Sequence, residues 1–194
     1  MNRERILVAV TGASGSIYAK YFCKILYRLG LEVHLIFSDT GLEVTKFELG
    51  EKGLNEIRSC IKVEFDCKKF FAPPASGSSR YHSMVIIPCT MGTLGAISNG
   101  MSQNLIHRAA DCFLKEEKKL IAVVRESPFN EVHLENMLKF KRAGGVVYPA
   151  MPAFYSHPQS LDDMAYFFAG RIVEFLGFKV NDLKTWDSTN TKAF

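Results

Sequence analysis

Short apolar runs rich in β-branched residues alternate along the chain with longer amphipathic stretches. The short runs predict five strands, at residues 6–10, 32–37, 84–87, 120–124 and 145–148. The longer stretches predict helices at residues 16–29, 42–47, 54–60, 91–97, 103–114, 130–142 and 161–175. In the helix predicted at 103–114, apolar residues recur every three or four positions, which is typical of a helix with one buried face.

This alternation, with short connections, predicts βαβ units and an α/β fold, namely a Rossmann-like three-layer α/β/α sandwich with a mostly parallel sheet. No linker rich in Pro, Gly or Ser divides the chain, so we expect residues 1–194 to form one domain. The polar segment 178–194 is expected to be a C-terminal tail whose last eight or so residues are disordered. It contains Trp186, the only tryptophan, which suggests that the tail docks onto its own subunit or a neighbour.

Composition narrows the class of protein further. The chain has 194 residues, of which 47% are hydrophobic, a composition typical of a globular protein. Its net charge of +4 is mild, so nucleic-acid binding is not expected. No run approaches the 18 apolar residues of a membrane span, and we expect no membrane association. Five scattered cysteines without CxxC spacing argue against a zinc site and favour a reducing, cytoplasmic location; no metal is expected.

Polar or small residues follow four of the predicted strands. These loops lie at residues 12–16, 38–39, 88–93 and 125–128. In open parallel sheets, ligands bind beyond the carboxyl ends of the strands, where the strand order reverses. We therefore expect the four loops to form one shared site.

The first of these loops, Gly12-Ala-Ser-Gly-Ser16, leads from a buried strand into a helix. Backbone amides at such a turn, together with the helix dipole, favour a phosphate. The turn lacks the third glycine of the dinucleotide fingerprint, and Phe37 and Ser38 stand where that motif has an acidic residue. The pattern therefore favours a mononucleotide over NAD, while a plain tight turn remains the alternative.

The loop at 88–93 offers the hydroxyls of Thr90 and Thr93, and Gly92 allows close approach to the backbone. Helix N-capping alone would also explain Thr90. Cys89 has no paired histidine, so a structural role is favoured over a nucleophilic one. The segment 72–79, APPASGSS, reads either as an oxygen-binding nest or as a linker, and its two prolines favour an ordered loop.

Several charged or hydroxyl groups complete the candidate chemistry. Arg108 and Lys115 are seven residues apart on one predicted helix and share a face. Arg125 and Glu126 follow a strand, where a carboxylate beside an arginine suits acid–base chemistry. Tyr155 follows the last strand, and Arg171 lies near the apolar face of the final helix. For each of these charged residues considered by itself, a surface salt bridge is the alternative interpretation.

Longer strings within the chain resemble the UbiX-type flavin prenyltransferases over almost the whole length. The shared strings are TGASG, APPASGSS, PCTMGTL, NLIHRAAD, LKEEKKL, RESP, HLENML, PAMPAFYSHPQS and DDM. The resemblance implies transfer of a dimethylallyl group from dimethylallyl monophosphate to reduced FMN without a metal. The product, prenylated FMN, serves UbiD-type decarboxylases, and the usual assembly is a homododecamer with active sites at subunit interfaces.

The resemblance also implies roles for individual residues. The FMN-binding set would be Gly12, Ala13, Ser14, Ser38, Thr90, Met91, Gly92, Thr93 and Arg125. The prenyl phosphate would meet Ser14, Arg108, Lys115, Arg125, Glu126, Tyr155, Arg171 and Trp186, with Tyr155 and Arg171 supplied by a neighbouring subunit. The catalytic groups would be Ser14, Glu48, Lys115 and Glu126. Phe70 and Thr90 replace the tryptophan and serine of some relatives and keep the aromatic ring and the hydroxyl.

Two alternatives to a prenyltransferase are an FMN-dependent cysteine decarboxylase and a non-catalytic flavin carrier. Cysteine decarboxylases of this type have a base histidine before the fourth strand and a PAMN string, whereas this chain has PAMPAFY. His82 lies near the first of those positions and is interpreted as a polar residue at a strand entry. A carrier could lose the phosphate-binding charges, but Lys115, Glu126 and Arg171 are all present.

Overall fold

The computed structural model describes residues 3–183 and Trp186. Its strands are β1 (Arg5–Val10), β2 (Glu32–Phe37), β3 (Val63–Asp66), β4 (Ser83–Cys89), β5 (Lys119–Val124) and β6 (Val146–Pro149). Its helices are α1 (Ser16–Arg28), α2 (Asp39–Arg58), α3 (Met91–Ser98), α4 (Leu105–Lys115), α5 (Glu131–Arg142) and α6 (Leu161–Phe175).

The six strands form one sheet in the order β3-β2-β1-β4-β5-β6, and every pairing in it is parallel. The chain proceeds outward from β1 through β2 to β3, and then returns to the other side of β1 with β4. The strand order therefore reverses between β1 and β4. Ligands of doubly wound sheets bind beyond the carboxyl ends of the strands at such a point.

Successive residues of β1 alternate between two cores. Ile6, Val8 and Val10 pack against α1, α6 and the second half of α2. Leu7 and Ala9 face the opposite side, where α3, α4 and Phe140 of α5 cover the sheet. Because both faces are covered, the central strands are apolar throughout, and the predicted three-layer α/β/α fold is confirmed.

Two local predictions differ from the structure. The edge strand β3 was not predicted, because its sequence VEFD alternates half-buried apolar residues with exposed acidic ones and has no apolar run. The two helices predicted at 42–47 and 54–60 belong to one element, α2, which is broken where Gly50 adopts φ 65° and ψ 179°. A side chain is disfavoured at that φ, so the glycine permits the break.

Beyond α6, the tail packs back onto the core through Val180 and Leu183, which are 5% and 8% exposed. The disorder predicted for the last eight or so residues lies outside the described residues, and the single-domain assignment stays a prediction. Among the helices that the structure describes, none combines the length and the hydrophobicity needed to cross a membrane.

Candidate functional site

The loops after β1 and β4 are joined at the point where the strand order reverses. The hydroxyl of Thr11, which is 2% exposed, donates to the carbonyl of Pro88 at 2.9 Å. The same hydroxyl oxygen accepts the amide of Thr90 at 2.9 Å. One buried threonine thus fixes the separation of the two loops that flank the ligand position of the fold.

Gly12 lies in the turn after β1, where the side chain of Thr40 leaves no room for a side chain on residue 12. A Cβ atom on Gly12 would lie 2.5 Å from Cγ2 of Thr40, in the first turn of α2. The glycine therefore lets the turn pack directly against α2. This contact keeps the loops after β1 and β2 together.

The beginning of α1 is occupied by the carboxylate of Glu48. Its oxygens accept the amide of Ser16 at 2.8 Å and that of Gly15 at 3.0 and 3.2 Å. Burial acts to raise the pKa of Glu48, but hydrogen bonds from the Ser14 hydroxyl and from the two amides outweigh it and hold the pKa below the ordinary 4.5. Two amides that the sequence assigns to a phosphate therefore bind an internal carboxylate.

Two further helices begin at the same edge of the sheet. Ser38 caps α2 by accepting the amide of Gly41 at 3.0 Å, and Thr90 caps α3 by accepting that of Thr93 at 3.1 Å. Next to Thr90, Gly92 is exposed, and no atom lies within 4 Å of the position of a Cβ. The α2 and α3 termini thus present hydroxyls and open backbone at the carboxyl edge, whereas Met91 is buried in the core.

Arg125 and Glu126 directly follow β5 and line a cavity of about 440 Å³ together with the loop after β6. The amide of Arg125 donates to Cys89 at 3.3 Å, which ties this loop to the end of β4. The positive charge of Arg125 acts on Tyr18 in the first turn of α1 and opposes the rise in its pKa that burial causes. Arg125 thus faces the position where the loops after β1 and β4 meet.

Lys115 lies at the opposite, amino edge of the sheet, because α4 runs antiparallel to the strands. It occupies the last turn of α4, four residues before β5 begins at the amino edge of the sheet. Glu126 follows the other end of β5, which is about 17 Å away for a six-residue strand. One small phosphate cannot contact both side chains of a single chain.

Arg108 and Lys115 share a face of α4, as their spacing predicts, and that face contacts the loop at 72–79. Arg108 donates to the carbonyl of Ala75 at 3.2 Å and pairs with Asp111 at 2.8 Å. Lys115 pairs with Glu116 directly beside Gly77. The loop is further held by Lys118, and it is an ordered element rather than a linker.

Three residues of the predicted substrate-binding set lie on or beside α6, namely Tyr155, Arg171 and Trp186. The rings of Tyr155 and Trp186 meet edge to face at 5.5 Å, and Tyr155 also contacts Phe167 at 5.4 Å. Arg171 is paired with Glu174, and its charge reaches the hydroxyl of Tyr148 on β6. An aromatic and cationic surface therefore stands beside the end of β6.

The positions of Cys89 and His82 in the fold decide between the alternative roles that the sequence left open for them. Cys89 is fully buried, and burial raises the pKa of its thiol to about 12, so it stays protonated and structural. His82 precedes β4 at the amino edge of the sheet, and its ring contacts that of Phe178 in a tilted arrangement with the ring centres 5.0 Å apart. It is the strand-entry residue that the sequence analysis favoured and lies opposite the carboxyl-edge loops.

Sequence reasoning missed Thr11 and Thr40, which organise the loops without offering an obvious chemical group. Thr11 carried a usable signal, since a polar residue directly after a buried strand in a parallel sheet lies at the ligand edge. Thr40 carried none, because its contact with Gly12 depends on the approach of two distant segments. A cavity of about 370 Å³ between the ends of β2 and β3 was also missed together with β3.

The fold and these loops define a doubly wound protein of the mononucleotide-binding type. The profile of the family described as "Flavoprotein" matches residues 1–175. The flavin prenyltransferase UbiX of Methanothermobacter thermautotrophicus is 46% identical over 184 residues, covering 94% of this chain and 95% of that protein. UbiX of Methanocaldococcus jannaschii is 43% identical and covers 94% and 98%. The chain therefore belongs to the flavin prenyltransferase family of flavoproteins, which confirms the resemblance.

Solved structures agree with this assignment. AnUbiX in complex with FMN and dimethylallyl pyrophosphate has a TM-score of 0.91 at 36% identity, covering 96% of this chain and 98% of that one. A dodecameric FMN-dependent UbiX-like decarboxylase from Escherichia coli O157:H7 has a TM-score of 0.89 at 33% identity, covering 94% and 99%. A cysteine decarboxylase of thioviridamide biosynthesis, at 15% identity, a TM-score of 0.62 and coverage of 75% and 90%, shares the fold alone.

Proposed function

We propose that the protein transfers the dimethylallyl group of dimethylallyl monophosphate to reduced FMN and releases phosphate and prenylated FMN. The observation that carries this proposal is the set of loops after β1, β2, β4 and β5 around one reversal of strand order, in a chain of the prenyltransferase family. The residues fit FMN, because the space around Gly92 is open and two helices, α2 and α3, begin there with the hydroxyl caps Ser38 and Thr90.

FMN binding in this proposal uses Gly12, Ala13 and Ser14 with Ser38, residues 90–93 and Arg125. Since Glu48 already neutralises the start of α1, we assign the FMN phosphate to the region of the α2 and α3 termini and Arg125. Reduced FMN supplies the electron-rich ring system that accepts the allyl group. The protein itself binds and orients the two substrates and neutralises the charge of their phosphates.

When the allylic carbon–oxygen bond breaks, its electron pair leaves with the phosphate, which gains negative charge. The cations Lys115 and Arg171 and the hydroxyls of Ser14 and Tyr155 stabilise that charge. Glu48 orients Ser14 through their hydrogen bond. Glu126, at the cavity beside Arg125, then moves protons during ring closure. Arg108 acts from outside this group by holding the carbonyl of Ala75.

A complete phosphate site requires a second copy of the chain in this proposal. Lys115 and Glu126 lie at opposite edges of one sheet, so a site that uses both takes them from different subunits. The protein is therefore proposed to be a homo-oligomer, and the resemblance favours a dodecamer. Its product would pass to a UbiD-type decarboxylase. The cytoplasmic location is part of the proposal and is supported by five buried, unpaired cysteines.

The activity is tested by mixing the purified protein anaerobically with reduced FMN and dimethylallyl monophosphate and analysing the flavin by mass spectrometry. We expect a gain of one prenyl unit and release of one phosphate. Glu126→Gln should slow prenylation in single turnovers and leave FMN affinity within about twofold of wild type. The absence of an adduct, with carbon dioxide released from a peptide that ends in cysteine, would support a cysteine decarboxylase instead.

The shared site is tested by mixing subunits of Lys115→Ala and Glu126→Gln after reversible dissociation. If the two residues meet across an interface, about a quarter of the sites in a random mixture receive both native side chains and regain activity. If both came from one chain, every site would keep one substitution and the mixture would stay inactive. Remixed wild-type subunits serve as the control for recovery.

A further inference from the structure

The tail beyond α6 is fixed to the core at two places. The first is a notch at Gly170 of α6, where Leu183 is buried. A Cβ atom on Gly170 would lie 2.6 Å from Cδ1 of Leu183, so the glycine makes the space that the leucine fills. Val180 is buried in the same core, which gives the segment an apolar attachment.

The second attachment is polar and joins the tail to both α1 and α6. The hydroxyl of Tyr166, on α6, donates to the carboxylate of Asp182 at 2.6 Å. Arg28, at the end of α1, reaches the other oxygen of Asp182 at 3.5 Å and also bonds the Tyr166 hydroxyl. Its guanidinium lies 5.2 Å from the centre of the Tyr166 ring. The three side chains thus form one connected network.

These attachments end three residues before Trp186. Three residues span at most about 10 Å, so a fixed Leu183 confines Trp186 to the neighbourhood of Tyr155. Trp186 itself is 69% exposed and meets Tyr155 edge to face at 5.5 Å. A tryptophan with so little burial gains too little from its own contacts to offset the entropy lost when a tail is ordered.

We propose that Arg28, Tyr166 and Asp182, together with Leu183 in the notch of Gly170, form a tail anchor that positions Trp186 on Tyr155. These are positioning residues, since they act through Trp186 and Tyr155 at the prenyl phosphate end of the site. This part of the inference rests on the proposed function. The attachment itself does not, because it is built from contacts within one chain.

Trp186 makes the anchor directly measurable, because it is the only tryptophan and its fluorescence reports its surroundings alone. The variants are Asp182→Ala and Tyr166→Phe, which break the polar network, and Gly170→Leu, which fills the notch while leucine suits a helix better than glycine. Tyr27→Phe is the matched control. It removes the hydroxyl of the residue that precedes Arg28 in α1, and this residue is 60% exposed.

In the three anchor variants we expect Trp186 emission at longer wavelength and stronger quenching by acrylamide. The KM for dimethylallyl monophosphate should rise about tenfold in Asp182→Ala and Tyr166→Phe, the size expected for losing a hydrogen bond to a charged group, and it should also rise in Gly170→Leu, while FMN affinity stays within about twofold. The double variant Tyr166→Phe/Asp182→Ala should be no worse than the worse single variant, since both break one network. Tyr27→Phe should match wild type.

Unchanged emission and quenching in Asp182→Ala and Gly170→Leu would overturn the anchor. Altered fluorescence with an unchanged KM would overturn its positioning role. If the wild-type protein forms no prenyl adduct, the proposed function fails, and the fluorescence comparison still decides whether the anchor exists. Circular dichroism of each variant separates local release of the tail from loss of the fold.

Discussion

The carboxylate of Glu48 offers a quantitative test of how the start of α1 is stabilised. It accepts three contacts from the amides of Gly15 and Ser16, at 2.8 to 3.2 Å, and a further hydrogen bond from Ser14. In Glu48→Gln, the carbonyl oxygen can take the place of the oxygen that bonds both amides. The negative charge and the longest contact are lost.

A charge at a helix N-terminus contributes about 0.3–1 kcal/mol, and hydrogen bonds to a charged acceptor exceed those to a neutral one. Glu48 is exposed, so solvent screening reduces both the charge contribution and the hydrogen-bond contribution, and we take their sum at the lower end of its range. We expect Glu48→Gln to reduce the free energy of unfolding by about 1 kcal/mol. For a chain of this size that corresponds to roughly 2–4 °C in Tm.

The pH dependence provides a second measurement. The pKa of Glu48 in the folded protein lies below its ordinary value of 4.5. The ionised carboxylate therefore stabilises the fold fully above about pH 4.5, and this contribution is lost as the pH falls through the folded-state pKa. The difference in Tm between wild type and Glu48→Gln should be constant from pH 6 to 8 and shrink below pH 4.5.

The assay is thermal unfolding followed by circular dichroism between pH 3.5 and 8. Glu51→Gln is the control, because Glu51 also lies on α2 and forms an exposed pair with Lys46, which should contribute little. Equal stability of wild type and Glu48→Gln at neutral pH would refute the assigned hydrogen bonds. A difference that persists undiminished in acid would refute the role of the charge.

Further substitutions test the contacts that organise the rest of the structure. Thr11→Val removes the buried hydroxyl that bonds Pro88 and Thr90, and should cost about 1–3 kcal/mol in urea unfolding and weaken FMN binding in a fluorescence titration. Gly12→Val should cost about 1–3 kcal/mol because its Cβ meets Thr40, and Thr40→Ser should relieve part of that loss by removing Cγ2; no relief would argue against the contact. Tyr81→Phe leaves the buried Nδ1 of His34 without its 2.8 Å partner and should cost about 1–3 kcal/mol, whereas an unchanged urea midpoint would show that solvent replaces the bond.

The architecture could be predicted because its determinants are local. Apolar runs and amphipathic stretches alternate, and within the part of the chain that the structure describes, five of the six strands and all six α-helices follow that pattern. The strand β3 could not be predicted in this way. It pairs with β2 along an edge, and its alternation of Val63 and Phe65 with Glu64 and Asp66 lacks the apolar run of a buried strand.

Within the site, loops that follow strands could be predicted, since parallel strands carry their carboxyl ends to one edge. Residues on helices were harder to place. The spacing of Arg108 and Lys115 gives their common face but not the edge of the sheet that each reaches, which depends on the direction and length of α4. The contact of Arg108 with the carbonyl of Ala75 likewise follows from tertiary packing and from no motif, whereas Lys115 pairs with its sequence neighbour Glu116.

The glycine turn after β1 shows why a motif and its ligand are separable. Its sequence correctly indicates amides that attract an anion, yet Gly15 and Ser16 bind Glu48, which lies more than thirty residues away. The break of α2 at Gly50 follows that glutamate by two residues and sets the end of the helical segment that carries it. Because Glu48 already neutralises the start of α1, the proposed function assigns the FMN phosphate to the starts of α2 and α3. The same carboxylate accepts a hydrogen bond from the hydroxyl of Ser14, so Glu48 positions a side chain of the turn as well as binding its amides.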